Sequence, residues 1–344
     1  MRIVTDNVKD KQEKKRIVIT HDDADGLMSA VVLQKFGKVE DGRWGVIASA
    51  SPTTHETDAM LQRADSIWGV SQGDTIFIVD REMLSEKMQK RFKGIDIVYI
   101  DHHLTNKNND FGSDVTFIWD ENESGATLSL KYFKLFPQKM KEISKEKLEG
   151  IERIAQSVRL WDIFKWTELN ISIPEEKILY EGAFEINSLE KIFGRKYFYK
   201  MMMEDSIETI EKKSKMAYEI FSNEYEEYKV SGTPYRKEFQ YMGHKIRIYC
   251  GFDFRFQSLY SYELFKNTDL DAVIYVNLDG SVSIRNRIGT DSTYLASELG
   301  RLSGFSGGGH KNATGCRIMD FDRIREFLVN SIIDSIKKMD DFKL

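Results

Sequence analysis

The chain has only two cysteines, Cys250 and Cys316, in 344 residues. That is too few for a disulfide framework or a cysteine-rich zinc site, although the two could still pair with each other. Any metal must therefore be held by histidine and carboxylate side chains. Long hydrophobic runs are also missing, since no uninterrupted apolar stretch approaches the ~18 residues that a membrane-spanning helix needs. The N-terminal stretch MRIVTDNVKDKQEKK lacks the apolar centre of a secretory signal, so the expectation is a cytoplasmic protein without a membrane partner. An excess of positive charge is absent as well: 50 Lys and Arg stand against 55 Asp and Glu, a formal charge of -5. This weighs against a protein that coats long duplex nucleic acid, whose affinity comes from lysine and arginine displacing counterions. Small or short anionic substrates stay open, because local cations or bound metal ions suffice to grip a few phosphates. There is no internal repeat and no low-complexity tract.

What is present is ample for a folded core: 41% of residues are hydrophobic and 12% aromatic, and the length suits two domains. From Arg16 the sequence alternates short apolar runs with amphipathic stretches. The runs are RIVIT (16–20), DTIFIVD (74–80) and IDIVYID (95–101), with VTFIWD (115–120) a candidate fourth. Helical patterns cover Gly26 to Phe36, about 84–92, Ser124 to Phe136 and Ser144 to Trp161. Runs rich in Ile and Val without polar alternation suit a parallel sheet covered on both faces by helices. The expected fold class is thus α/β: a parallel-sheet domain over 1–174, a helical connector over 175–234, and a smaller α/β domain over 235–344. The connector contains IETIEKKSKMAYEIFSNEYEEYKV, too apolar at Ile207, Ile210, Met216, Ile220 and Phe221 for a flexible linker. The last segment reads as strands IRIYC, DAVIYVNL and SVSIRNRI, a helix from Ser292 to Leu302, a glycine-rich turn SGFSGGGHKNATG and a helix from Asp322 to Met339.

Chemistry concentrates where the predicted strands end. His21-Asp22-Asp23-Ala24-Asp25-Gly26 follows RIVIT directly, and open α/β sheets place ligands just beyond the carboxyl ends of their strands. An extended turn directs alternate residues to one side, presenting His21, Asp23 and Asp25 together while Asp22 points elsewhere. Carboxylates packed this tightly repel one another unless a cation intervenes. Taken alone the motif could be an acidic helix cap. However, the second run ends in Asp80 and the third in Asp101-His102-His103, so three strands deliver His or Asp to one edge. Together they offer enough oxygen and imidazole ligands for two divalent ions sharing a carboxylate, the arrangement used for in-line attack on phosphorus. Asp162 in SVRLWDIFKW is a further candidate, flanked by Trp161 and Trp166. In the last segment Gly307-Gly308-Gly309-His310 lets backbone amides approach an anion, and Arg285 and Arg287 supply charge suited to phosphate. The stretch KIFGRKYFYK (191–200) interleaves basic and aromatic residues, which fits either a contact to an oligonucleotide or a solvated, packed helical face.

In order and kind these motifs resemble the DHH phosphoesterase superfamily, in the branch with a C-terminal DHHA1 domain. The resemblance rests on HDDADG (21–26), Asp80, DHH itself (101–103), SGATLSL (124–130), Asp162, and GGGH (307–310) after the SIRNR strand. It covers most of the chain and is nearest to the oligoribonuclease-like members, similar to the nanoRNase B group. The spacing H-x-D-x-D-G is closer to the RecJ-like form, in which an Asp takes the first position, than to H-x-x-x-D-x-D. The resemblance implies two metal ions, most often Mn2+, with Mg2+ or Co2+ as substitutes. It makes His21, Asp23, Asp25, Asp80, His102 and Asp162 the ligands, with Asp25 and Asp80 the better candidates for sharing both ions. Asp101 would be a supporting catalytic residue and His103 would face the scissile phosphate. Arg285, Arg287, Gly308, Gly309 and His310 would hold substrate from the second domain.

The activity this implies is metal-dependent hydrolysis of short single-stranded RNA to mononucleotides. Small-nucleotide hydrolysis (3′-phosphoadenosine 5′-phosphate, cyclic mononucleotides or linear dinucleotides) and a RecJ-like exonuclease share every motif. A non-catalytic nucleotide sensor is disfavoured, because a pure binder has little reason to bear so many clustered carboxylates. A homodimer is left open.

Overall fold

The computed structural model describes residues 2–3, 14–38, 42–50, 52–107, 115–231, 235–241, 244–250, 253–277, 280–287, 308–310 and 313–317. They fall into two compact units, Met1–Asn223 and Glu224–Leu344. The first unit carries a sheet of β1 (Arg2–Ile3), β2 (Lys14–His21), β3 (Gly42–Ser49), β4 (Thr75–Val79), β5 (Asp96–Asp101) and β6 (Thr116–Trp119). Their spatial order is β1-β3-β2-β4-β5-β6. The short β1 runs antiparallel to β3, and the other five strands are parallel. Among the described residues eight α-helices accompany them, the last running on into the second unit: α1 (Ala24–Phe36), α2 (Thr54–Trp68), α3 (Glu86–Arg91), α4 (Gly125–Leu135), α5 (Lys145–Asp162), α6 (Pro174–Phe193), α7 (Arg195–Glu204) and α8 (Ile207–Ser231).

The absence of polar alternation in the strands is explained by burial on both faces. Val18, Phe77, Val79, Val98 and Ile100 pack in one cluster with residues of α1, α4 and α5. Their neighbours Ile17, Ile19, Ile76, Ile78 and Ile97 turn to the other face, against Met60, Leu61 and Ala64 of α2 and Met88 of α3. Helix α1 lies so deep that every residue except Gln34 is buried, which is why its sequence is apolar on all sides.

Strand β3 and helix α2 escape the sequence pattern. GRWGVIAS offers only the three-residue apolar run VIA between a glycine and a serine, and α2 buries just Thr57, Met60, Leu61 and Ala64 beneath an otherwise charged surface. The expected helical stretch consists of α6, α7 and α8. Phe184, Leu189, Phe198, Met202 and Ile210 are buried in the first unit, and the unit boundary falls inside α8.

The second unit has its own sheet of β7 (Tyr235–Tyr241), β8 (His244–Cys250), β9 (Ala272–Val276), β10 (Ser281–Asn286), β11 (Gly308–His310) and β12 (Ala313–Arg317). The spatial order is β11-β12-β10-β9-β8-β7, antiparallel except for β8 with β9. That parallel pair requires a crossover, which α9 (Gln257–Asn267) provides. Ile246, Ala272, Ile274, Val282 and Ile284 form its core. Cys250 is a buried free thiol. The helices expected at Ser292–Leu302 and Asp322–Met339, and Gly307, lie outside the described residues. Among the described residues no helix is long and apolar enough to cross a membrane.

One polar device fastens the sheet beneath its carboxyl edge. Arg81, fully buried, donates from Nε to Thr57 Oγ1 (3.2 Å) and from Nη1 to the carbonyls of Thr20 (3.1 Å) and Ser49 (3.3 Å), joining α2, β2 and β3. An apolar replacement would remove a buried donor shared by Thr57 Oγ1 and the carbonyls of Thr20 and Ser49, so Arg81→Leu is expected to cost about 3 kcal/mol. A urea unfolding midpoint that falls with an unchanged m value would agree with this; a midpoint equal to wild type would refute it.

Candidate metal centre

The parallel register brings the functional side chains together. Thr20 pairs with Val79 and Val79 with Ile100, so the residues one step later, His21, Asp80 and Asp101, share one edge. His21, the last residue of β2, and Asp23, in the bend after it, point to the same side, with His21 Nδ1 2.8 Å from Asp23 Oδ2. The other imidazole nitrogen, Nε2, lies 3.2 Å from the Ala50 carbonyl. A carbonyl only accepts, so in the neutral ring Nε2 carries the hydrogen and Nδ1 offers its lone pair to the cluster. Asp23 also caps α1, accepting from Gly26 N at 3.0 Å. Gly26 is required by space: a Cβ there would lie 2.3 Å from the His21 carbonyl oxygen. Asp22 turns away and pairs with Arg195 (2.8 Å).

Asp25 sits at the buried N-terminus of α4. Its Oδ2 accepts from Gly125 N (2.6 Å) and its Oδ1 from Ala126 N (3.0 Å), amides left without partners inside their own helix. A Cβ on Gly125 would stand 2.9 Å from Asp25 Oδ2 and 2.8 Å from Ser29 Oγ. The SGATLSL segment is therefore a carboxylate-holding helix start, with Ser124 and Thr127 closing a capping box around it.

Asp80 adopts the left-handed region, φ 55°, a conformation Asp tolerates better than most residues. It is 2% exposed. Its Oδ1 lies 3.1 Å from His102 Nε2 and its Oδ2 3.6 Å from His21 Nδ1. His102 Nε2 is also 3.7 Å from Asp25 Oδ2 and 3.4 Å from Asp162 Oδ2 at the end of α5. Asp101 has both oxygens engaged: Oδ1 is 2.7 Å from His103 Nδ1, and Oδ2 accepts from Asn106 Nδ2 (2.6 Å) and His103 N (3.2 Å). Trp119 Nε1 donates to the His103 carbonyl (3.0 Å).

Three groups of potential ligand atoms result, each within 4.8 Å: His21, Asp23, Asp80; Asp25, His102, Asp162; and Asp80, Asp101, His102, His103. The six residues expected as ligands thus all lie in this cluster. Asp80 joins the group of His21 to that of His102, whereas Asp25 groups with His102 and Asp162.

Electrostatics make this crowd unstable without compensating positive charge. Burial, then the nearby Asp80 carboxylate, pushes Asp25 up to about 7, and burial holds Asp162 well above the usual carboxylate range. Burial also opposes ionisation of Asp80, but the imidazoles of His102 and His21 beside it hold it well below that range. Burial works against cationic imidazoles too, yet Asp23 and Asp80 raise His21 strongly, and Asp162 and Asp80 raise His102. Asp101 raises His103 in the same way. Asp80 Oδ2 is fully buried and makes no hydrogen bond among the described residues, with His21 Nδ1 3.6 Å away. A donor set of carboxylates and imidazoles that needs positive charge, and a buried oxygen awaiting a partner, fit hard or borderline divalent cations.

The candidates of the second unit are placed differently. Arg287 donates from Nε to the Leu270 carbonyl (3.0 Å) and from Nη2 to that of Thr268 (2.6 Å), bracing the approach to β9. Arg285 donates from Nη1 to Ser283 Oγ (2.6 Å), and burial lowers its guanidinium to about 10. Gly308, Gly309 and His310, expected as part of a turn, form β11, paired with Gly315, Thr314 and Ala313. In 191–200, Phe198 and Tyr199 are buried while Tyr197 is 63% exposed. Sequence reasoning passed over Asn106 and Arg81, each close to a motif in the chain: Asn106 follows DHH by three residues and Arg81 follows Asp80.

Two outcomes follow. Gly125→Ala is expected to displace Asp25 and weaken Mn2+ binding roughly tenfold or more, and an unchanged dissociation constant in calorimetry would refute it. Because raised imidazoles must lose protons to ligate, Mn2+ binding should release protons and tighten as pH rises toward the raised His values. Calorimetry in buffers of different ionisation enthalpy measures this, and zero net proton release would contradict it.

Residues 15–157 match the DHH family, N-terminal domain. No curated protein matches the chain significantly. Among solved structures, the DHH domain of a member of the s1p family of ribosomal proteins is 15% identical with a TM-score of 0.58, over 94% of this chain and 86% of that one. RecJ of Thermus thermophilus in complex with Mn2+ is 14% identical with a TM-score of 0.57, over 95% of this chain but 52% of RecJ, so the chain spans about half of that exonuclease. A structure of exonuclease RecJ bound to manganese is 13% identical with a TM-score of 0.55, over 93% and 89%. These likenesses carry the fold, and the matched segment holds His21, Asp23, Asp25, Asp80 and Asp101-His102-His103: the chain carries a DHH-family N-terminal domain over residues 15–157.

Proposed function

We propose that the protein is a phosphoric ester hydrolase, a metal-dependent phosphodiesterase that cleaves short oligoribonucleotides to mononucleotides. The observation that carries this reading is Asp80: its two oxygens face two different groups of ligands, His102 on one side and His21 on the other. In this reading His21, Asp23, Asp25, Asp80, His102 and Asp162 hold two divalent ions, Mn2+ foremost. The ions supply an activated water and offset negative charge on phosphorus-bound oxygens.

The chain's own residues then have distinct tasks. Asp101 holds His103 through Nδ1, so the ring meets substrate through its opposite nitrogen. Positive charge favoured on His103 by Asp101 stabilises the reacting phosphate and can pass a proton to the leaving oxygen. Asn106 keeps Asp101 from turning away. The α4 amides keep the Asp25 oxygens in place without consuming a side chain. Arg285 and His310 are the candidates for gripping the substrate's phosphate.

A small-nucleotide phosphohydrolase, acting on 3′-phosphoadenosine 5′-phosphate, a cyclic mononucleotide or a linear dinucleotide, is the second reading. It is favoured by the burial of Phe198 and Tyr199, which removes two of the aromatic rings that an oligonucleotide platform on 191–200 would need. The deciding experiment is Mn2+-dependent turnover on a length series of 5′-labelled RNA, with 3′-phosphoadenosine 5′-phosphate in parallel. Fastest loss of the shortest RNAs supports the oligoribonuclease reading, turnover of the mononucleotide alone supports the second, and no cleavage of anything sinks both. Asp80→Ala is expected to abolish turnover, and His103→Ala to lower kcat by roughly 10²–10⁴. A His103→Ala enzyme as fast as wild type would remove that residue from the chemistry.

A further inference from the structure

The α6–α7 stretch sends one side chain directly to the metal loop. Arg195, the first residue of α7, lies with Nη1 2.8 Å from Asp22 Oδ2, and its Nε is 3.4 Å from Oε1 of the buried Glu190. Asp22 sits between two expected ligands, His21 and Asp23, in the bend that follows β2. His21 and Asp23 meet each other at 2.8 Å while the side chain between them goes to Arg195 instead, so holding Asp22 constrains both of its neighbours. The backbone of Asp22 is pinned as well, donating to the Ser49 carbonyl at 3.1 Å. Side chain and main chain of one residue are thus both held, at the point where two neighbours must meet at 2.8 Å.

We propose that Arg195 is a positioning residue of the metal centre, holding the loop between β2 and α1 so that His21 and Asp23 converge on Asp80. This rests on the metal-binding reading above. It differs from a purely electrostatic role in sign. Arg195 places a positive charge near a cation site, so deleting only its charge would tighten Mn2+ binding. Deleting its grip frees the loop and weakens binding, by roughly tenfold or more if it behaves as other outer supports of metal ligands do.

The test is calorimetric titration of Mn2+ into the full chain, comparing wild type with Arg195→Met and Arg195→Gln. Both variants are neutral and near in size, but only the Gln amide can still donate to Asp22. The expected result is clearly weaker binding of one ion in Arg195→Met, partial recovery in Arg195→Gln, and an unchanged second ion in the group of Asp25, His102 and Asp162. Arg195→Ala, which removes the same grip and the same charge, is expected to weaken the same ion and serves should Arg195→Met fail to fold. Equal or tighter binding in Arg195→Met, or in Arg195→Ala if that variant replaces it, overturns the inference while leaving the metal centre intact. Failure of wild type to bind Mn2+ overturns the metal-binding reading, and this inference with it.

Discussion

The structure depends on one electrostatic constraint: five aspartates, Asp23, Asp25, Asp80, Asp101 and Asp162, meet at one sheet edge, and Asp25, Asp80 and Asp101 are buried there. Carboxylates at such spacing cannot all ionise unless positive charge is supplied. The protein supplies part of it with imidazoles and with the amides at the start of α4, and burial keeps Asp162 inclined to retain its proton. Proton-bearing histidines and a protonated acid are what such a cluster settles for when nothing stronger is bound. Divalent cations bound there would replace those protons directly, which would link metal affinity to pH.

The scaffold has to keep these groups from relaxing apart, and its means are visible in the sheet. Five parallel strands packed between two layers of helices hold their register through the fit of individual side chains, since a shift of one residue would exchange the residues packed against α1, α4 and α5 with those packed against α2 and α3. The register in turn fixes His21, Asp80 and Asp101 at equal height. Arg81, immediately after Asp80, clamps the ends of β2 and β3 from below. The tight backbone approach at Gly26 and the α4 start at Gly125 then bring Asp23 and Asp25 into the cluster. Here glycine serves close approach, and any side chain at either place would push a ligand outward.

How much of this was legible in the sequence follows from how local each signal is. Strands β2, β4, β5 and β6 are plain in their Ile- and Val-rich runs, and the side of the turn taken by Asp22 follows from extended geometry alone. Strand β3 and helix α2 are not, because their apolar content is diluted by glycine and by charge on the exposed face. SGATLSL was noticeable as a motif, but its role as a cradle for Asp25 comes from two amides about a hundred residues away in the chain, and main-chain donors leave no residue-type signature. Arg81 illustrates the converse. A lone arginine after a strand reads as surface charge, and only its burial with backbone carbonyls of two other strands makes it structural. Arg287 resembles it, its guanidinium being committed to the carbonyls of Leu270 and Thr268.

The loop HDDADG shows how one hexapeptide divides its labour. His21 and Asp23 face the cluster, Asp25 reaches back to α4, and Gly26 makes room. Asp22, the carboxylate that chemistry does not need, faces Arg195 from a helix more than 170 residues later in the chain. A motif of this density is only stable if every residue has an assigned direction, because an uncommitted carboxylate would be drawn into the same cation field and compete as a ligand. Pairing Asp22 with an arginine removes that competitor and stiffens the turn in one step. The identity of the residue between His21 and Asp23 is thus a property of the fold around it, and α7 belongs to the carboxylate-rich edge as much as the strands do.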